Sequence, residues 1–220
     1  MKLSKDIHAG QAVYTKQVLS IYDWWVLGIS NTFIWRCPTK LLRQQFRTHT
    51  TLNHLDVGAG TGYFLDKCLL EQKRRIALLD LNNNSLETAA ARIKRFKPEV
   101  YQANVLEPLN LPCKKFDSIS ISYLFHCLPG AIKEKAKALD MLSAHLNEGG
   151  KLFGSTILNH GVPRSALAEK LMHFYNTRGI FSNHRDHLKG LREELERRFS
   201  HVEITVKGCV AMFCARNSTL

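Results

Sequence analysis

Leu55-Asp56-Val57-Gly58-Ala59-Gly60-Thr61-Gly62-Tyr63-Phe64 is the stretch on which the reading of this chain turns. An apolar run ends on an acid, glycines follow at every second position, and an aromatic pair comes next. That is the pattern of a buried strand, a tight bend and the first turn of a helix. Glycine lets main chain approach a ligand with no Cβ in the way. A second acid, Asp80, ends the next apolar run, Ile76-Ala77-Leu78-Leu79. Two acids at neighbouring strand ends, flanking a glycine bend, point to a nucleoside ligand at the carboxyl edge of a parallel sheet. Phosphate is disfavoured beside two carboxylates. A ribose diol and an ammonium group suit them better. The spacing also departs from the dinucleotide pattern, because Gly62 follows Gly60 by two positions where that pattern needs three.

Outward from this loop, strands alternate with helices. Strands are predicted at 52–57, 75–80, 99–103, 117–122 and 151–158, with helices at 62–72, 85–96 and 132–146 between them. Asn147-Glu148-Gly149-Gly150 reads as a turn. Two helices follow at 165–178 and 187–199, and then strands 202–207 and 210–215. So short a connection makes the last two strands antiparallel. Before the loop, Val18, Ile21, Tyr22, Trp25 and Ile29 recur at helical spacing, and Cys37-Pro38 interrupts the pattern. The chain divides into an N-terminal helical extension or lid over 1–48 and a main domain over 49–220. A helical insert occupies about 160–199.

A chain of 220 residues with 45% hydrophobic and 23% charged residues suits one α/β domain. No apolar run reaches the roughly 20 residues that span a bilayer, and the N-terminus lacks the core of a secretory signal. Six cysteines without a C-x-x-C pair indicate a reducing cytoplasm and no disulfides. The net charge of +12 is spread over 40–47, 92–97 and 192–198. The last cluster mixes with Glu193, Glu194 and Glu196, as on a solvated face. It reads as a basic surface able to attract small anions rather than as a nucleic-acid footprint. His173, His184 and His187 have no matching cysteines, and no metal is expected.

The order of these segments resembles the class I S-adenosylmethionine-dependent methyltransferases over roughly residues 50–216, and in particular small bacterial methyltransferase-domain proteins of unassigned substrate. Asp56-x-Gly58-x-Gly60-x-Gly62 is similar to that family's cofactor loop. Asp80 matches the acid that grips the ribose, and Gln102-Ala103-Asn104-Val105-Leu106 matches the adenine segment, with Asn104 where an Asp is common. The segments 116–126 and 146–152 resemble the fourth strand and the turn before the fifth. The resemblance implies a Rossmann-like, mostly parallel seven-stranded sheet with a reversed last strand and helices on both faces. It also implies S-adenosyl-L-methionine as cofactor. Cofactor contacts are expected from Asp56, Gly58, Ala59, Gly60, Gly62, Asp80, Leu81, Asn104, Val105 and Ser122, with Asn82 beside Leu81 and Tyr22 closing over the site. The carbonyl of Asn104 is expected to accept the adenine amino proton.

Methyl transfer from a sulfonium is a displacement with an activated leaving group, so alignment does most of the work. A base is needed only where the acceptor must lose a proton. His126, following the fourth strand, is the candidate. Tyr14, Trp25, Arg36, Tyr123, Asn159 and His160 are the candidate acceptor-binding residues, with Trp24 and Trp35 as further aromatics able to favour a sulfonium. A small-molecule methyltransferase, as monomer or homodimer, is the leading expectation. An RNA methyltransferase and a cofactor-binding fold without methyl transfer are the alternatives. The first lacks the Asn/Asp-Pro-Pro-Tyr type segment after strand four, and the second is opposed by the intact glycines and Asp80.

Overall fold

The structure is a computed structural model that describes residues 23–217, with side chains from Leu27 onward. The first described helix, α1 (Asp23–Ile34), is wound wider than an α-helix, and the Trp35 N–H reaches back to the Ser30 carbonyl at 2.8 Å. The chain breaks at Cys37-Pro38 and resumes as α2 (Thr39–His49). Then come β1 (Asn53–Val57), α3 (Tyr63–Cys68), β2 (Arg75–Asp80), α4 (Asn83–Arg92), β3 (Glu99–Gln102) and β4 (Phe116–Ser122). A short helical pair, α5 (Ile132–Lys135) and α6 (Lys137–Ser143), leads to β5 (Leu146–Ile157). Helices α7 (Ala166–Thr177) and α8 (Leu188–Glu196) precede the closing hairpin β6 (His201–Lys207) and β7 (Val210–Arg216).

The seven strands lie in the order β3-β2-β1-β4-β5-β7-β6. All neighbours are parallel except that β7 runs against both β5 and β6. The reversal follows from the two-residue turn Gly208-Cys209, with Gly208 at φ 55°. One face of the sheet buries Ile76, Leu78 and Phe153 against Phe46 of α2, Leu65 of α3 and Leu86 and Ala89 of α4. The other buries Leu55, Val57, Ile119 and Ile121 against Ile132, Leu139, Leu142, Leu191 and Leu195. This two-sided burial is why β1, β2 and β4 read as apolar runs. A third apolar group joins α1 and α7 through Leu27, Trp35, Met172 and Phe181. Trp35 is therefore core, against the expectation of an aromatic over the site.

Two local expectations shift. The helix expected over 132–146 breaks at Ala136, one residue after the buried Lys135. Its ammonium donates to Asp186 Oδ2 at 2.5 Å and to the Ser182 carbonyl at 2.8 Å, which ties the segment before α8 to the sheet. The turn Asn147–Gly150 forms inside a longer strand: Phe116 pairs with Leu146 and Ser118 with Lys151, so the turn residues bulge out of the ladder.

Candidate active site

Because β1 and β2 are neighbours and both stop at the same edge of the sheet, Asp56 and Asp80 meet at one cleft. The cleft holds about 1170 Å³ with its mouth included. It is floored by residues 56–61 and 79–82, and walled by 103–106 and by Ser122, Tyr123, Leu124, Cys127, Leu128 and Pro129. Tyr63, Phe64, Ser85 and Leu27 of α1 complete it. Among these described lining residues there is no lysine, arginine or histidine.

The bend between β1 and α3 is anchored by the Gly58 N–H on the Leu79 carbonyl at 2.8 Å. Gly60 has φ 53°, and a Cβ built on it meets nothing within 4 Å. The main chain there is bare toward the cleft. Gly62 differs: it caps α3 at φ 71°, and a Cβ on it would lie 3.1 Å from Ala89 Cα of α4. It serves helix packing and is not part of the lining.

Burial pushes the Asp56 carboxyl up to about 7, with the Ser120 hydroxyl opposing and the Asp80 charge adding. Burial pushes Asp80 up to about 6, opposed by the N–H groups of Asn82, Gly60 and Leu81. The Asn82 N–H donates to Asp80 Oδ1 at 2.9 Å, and the Asn82 side chain in turn caps α4 by accepting from the Asn84 and Ser85 N–H groups. The acid is thus held by the first residues of the following helix.

The remaining candidates divide. Ala59, Leu81, Val105, Ser122 and Tyr123 line the cleft with Asp56, Gly58, Gly60 and Asp80. Tyr123 holds a left-handed φ of 57°, strained for an aromatic residue, and its hydroxyl donates to Asn31 Oδ1 of α1 at 2.8 Å. Asn104 lines the cleft, but its side chain closes a local turn: Oδ1 accepts the Leu106 N–H at 3.0 Å, and Nδ2 donates to Glu107 at 2.8 Å. Its side-chain carbonyl thus serves this turn with one lone pair and keeps the second for a ligand.

His126 departs furthest from expectation. It is 3% exposed and does not line the cleft. Its ring packs edge-on against Phe181 at 4.4 Å, and Nδ1 accepts the Ile157 N–H at 3.3 Å. Burial pushes it down to about 3, so it is a neutral core histidine and not a placed base. Arg36 lies beside the β6–β7 turn, its Cβ near Gly208. Asn159 and His160 bind the His184 carbonyl at 3.1 and 3.0 Å, and Arg164 donates to Asn159 Oδ1. None of the three lines the cleft. Tyr14 and Tyr22 lie outside the described residues, as do the side chains of Trp24 and Trp25.

The sequence reading did not single out Leu124, Leu128 and Cys127, which line the cleft around the turn Phe125–Cys127 that follows the strained Tyr123. It also missed Ser118 and Ser120. Their signal was present as a polar residue at every second position of β4, opposite His54 and Asp56 of β1.

This sheet order, with an acid at the tips of two adjacent strands around a bare glycine bend, is that of a methyltransferase. The family model described as "Methyltransferase domain" matches residues 55–152. The chain is 41% identical over 214 residues to demethylluteothin O-methyltransferase of Streptomyces thioluteus, covering 97% of this chain and 93% of that one. It is 38% identical over 213 residues to the physcion biosynthesis cluster O-methyltransferase of Aspergillus chevalieri, covering 96% of each. An O-methyltransferase family protein from Burkholderia thailandensis shares the fold at a TM-score of 0.69 and 13% identity, over 99% of this chain and 68% of that one. The chain belongs to the methyltransferase family and is an S-adenosylmethionine-dependent enzyme.

The residues present fit that cofactor. A cleft with two carboxylates and no described cation in its lining suits a ribose diol and an ammonium, and it would repel a phosphate. The open space over Gly60 leaves room for a ligand to lie on main chain.

Proposed function

We propose that this methyltransferase acts on a hydroxyl oxygen of a small, largely apolar acceptor. The observation that carries the reading is the make-up of the cleft: Asp56 and Asp80 are its only described charged lining residues, and Leu27, Leu124, Leu128 and Pro129 line it with them. Relatives named as O-methyltransferases that match nearly the whole chain support the choice of oxygen. S-adenosylmethionine, when bound, supplies an electrophilic methyl group on a sulfonium.

In this reading Asp80 accepts from the ribose hydroxyls, and Asp56 faces the ammonium group. Gly58, Ala59 and Gly60 offer main chain, while Leu81, Val105 and Leu106 pack on the adenine. Tyr123 and Cys127 border the acceptor side. The leucine walls exclude water from the reacting oxygen, and holding the acceptor in line supplies several kcal/mol of the barrier. The described part of the N-terminal extension borders the cleft. Two observations support this: Leu27 lines the cleft, and Asn31 holds the Tyr123 hydroxyl. We place the enzyme in the cytoplasm, as six cysteines with no disulfide among them favour; no helix among the described residues is long and apolar enough to cross a membrane.

The test is incubation of the purified chain with S-adenosylmethionine and matched sets of small phenols and enols, amines and thiols, with tRNA alongside. Products heavier by one methyl group in the hydroxylated set are expected. Transfer confined to amines, thiols or tRNA would overturn the proposal.

A further inference from the structure

Behind the carboxylate of Asp56, a row of polar side chains runs between β1 and β4 toward the opposite edge of the sheet. His54 pairs with Ser118 and Asp56 with Ser120 in the strand register, so the four side chains share one face. Ser120 Oγ meets Asp56 Oδ1 in a short hydrogen bond. His54 Nε2 lies 3.1 Å from Ser120 Oγ, and Nδ1 lies 2.8 Å from Ser118 Oγ. Ser118 Oγ lies 2.9 Å from Thr51 Oγ1 and also accepts the Thr51 N–H at 2.9 Å. The Thr51 hydroxyl donates to the Asn53 carbonyl at 3.0 Å. His54, Ser118 and Ser120 have no exposure, and Asp56 is the one member that lines the cleft.

Each hydroxyl holds one proton, and a neutral imidazole holds one. With Asp56 protonated, its O–H donates to Ser120, Ser120 to Nε2, Nδ1–H to Ser118, and Ser118 to Thr51. Every short contact then contains a proton. With Asp56 ionised, Ser120 must donate to the carboxylate. Ser120 then accepts from Nε2–H, and Ser118 turns its proton to the bare Nδ1. The change is one shift along the row: the Asp56 proton goes to Ser120 as that of Ser120 goes to Nε2, the Nδ1 proton goes to Ser118 as that of Ser118 goes to Thr51, and the Thr51 hydroxyl proton leaves to solvent at the half-buried far end, so the imidazole changes tautomer without gaining charge.

We propose that His54 is a positioning residue for Asp56, and that the chain Asp56–Ser120–His54–Ser118–Thr51 is a two-setting relay in which cofactor binding, by ionising Asp56, switches His54 from its Nδ1–H to its Nε2–H tautomer. The imidazole stays neutral because burial pushes it down to about 3, with the Arg74 charge acting the same way. Its faces are closed by Phe153 of β5 at 5.8 Å and Phe46 of α2 at 5.6 Å. Asp56 is faced by Ser120 and by Asp80. The liganded arm rests on the reading of the cleft as a cofactor site, whereas the pH arm does not.

The experiment is 15N NMR of histidine-labelled protein from pH 5 to 8.5, alone and with S-adenosylhomocysteine at pH 6. His54 is assigned by its loss in His54→Gln or, where that variant does not fold, by its perturbation in Ser120→Ala. In the free protein, the Nδ1–H pattern at low pH should give way to Nε2–H near neutrality. Ligand at pH 6 should produce the same change. In Ser120→Ala the tautomer should stop following pH. A single His54 tautomer across the range, or a protonated imidazolium, overturns the relay. Failure of S-adenosylhomocysteine to bind counts against the cofactor reading alone, and the pH arm still decides the relay.

Discussion

Gly60→Ala and Gly62→Ala make a pair whose effects should come apart. Both residues have positive φ, at 53° and 71°, so alanine at either costs about 1–2 kcal/mol in backbone strain. At Gly60 nothing is added, since a Cβ there meets no atom within 4 Å. At Gly62 the new Cβ presses on Ala89 of α4, at 3.1 Å from Cα, 3.2 Å from Cβ and 3.3 Å from the carbonyl oxygen. Main chain cannot step aside as a side-chain tip can, and overpacking of this kind costs about 1–3 kcal/mol more. For a chain of this length each kcal/mol lowers Tm by about 2–4 °C. Gly60→Ala should therefore melt only a few degrees below the parent, with Gly62→Ala clearly lower still. Affinity should run the other way. The Gly60 methyl enters the space offered to the cofactor and should weaken S-adenosylhomocysteine by at least about tenfold, or about 1.4 kcal/mol. Gly62→Ala, measured below its melting range, should stay within about threefold of the parent. Thermal melts and titration calorimetry on the same samples decide it. Equal losses of stability with equal affinities, or the reverse order, would refute the division of labour between the two glycines.

Other predictions follow from the buried charges. Asp56 and Asp80 have folded values near 7 and 6, above the unfolded value of 3.8, so their contribution to stability is full below about pH 4 and is lost as pH rises through 6 to 7. A ligand that presents an ammonium to Asp56 and a diol to Asp80 takes both ionised forms, so the Kd for S-adenosylhomocysteine should fall steeply with rising pH below 6, by about tenfold per unit between 6 and 7, and then level off. A flat calorimetric profile, or an Asp56→Asn variant with an unchanged slope, would exclude Asp56 as the linked group. His126→Gln should lower Tm through lost packing on Phe181, yet leave the pH profile of kcat unchanged. A lost alkaline or acid limb in that profile would restore a catalytic role. Lys135→Met strands Asp186, whose side chain has no exposure, and should cost about 3–5 kcal/mol at pH 8. The deficit should shrink as pH is lowered, because burial pushes the Asp186 carboxyl up and the ammonium that opposed this is gone, and melts that differ equally at pH 8 and pH 5 would argue against the charge explanation.

What could be read from the chain and what could not differ by the range of the contacts involved. The strands, the glycine bend and the two acids are local patterns, and a parallel neighbour relation between β1 and β2 follows from the helix between them. His126 is different. Whether it faces the cleft depends on the left-handed Tyr123 before it, which rotates the turn Phe125–Cys127 so that Cys127 reaches the cleft and His126 is driven against Phe181, 55 positions away in the chain. The turn role of Asn104 is local and was not legible in the resemblance alone, since its side chain serves the turn it begins. The serine ladder of β4 was visible as alternation, but its meaning required the register that sets Ser118 beside His54. The same reasoning separates three glycines that look equivalent in sequence: Gly58 is bounded by the side chain of Leu124, Gly60 by open cleft and Gly62 by the backbone of Ala89. Each boundary is supplied by a different distant segment or by none. A loop motif of this kind therefore reports that a ligand site exists, while the assignment of binding and packing roles within it comes from the segments that fold against it.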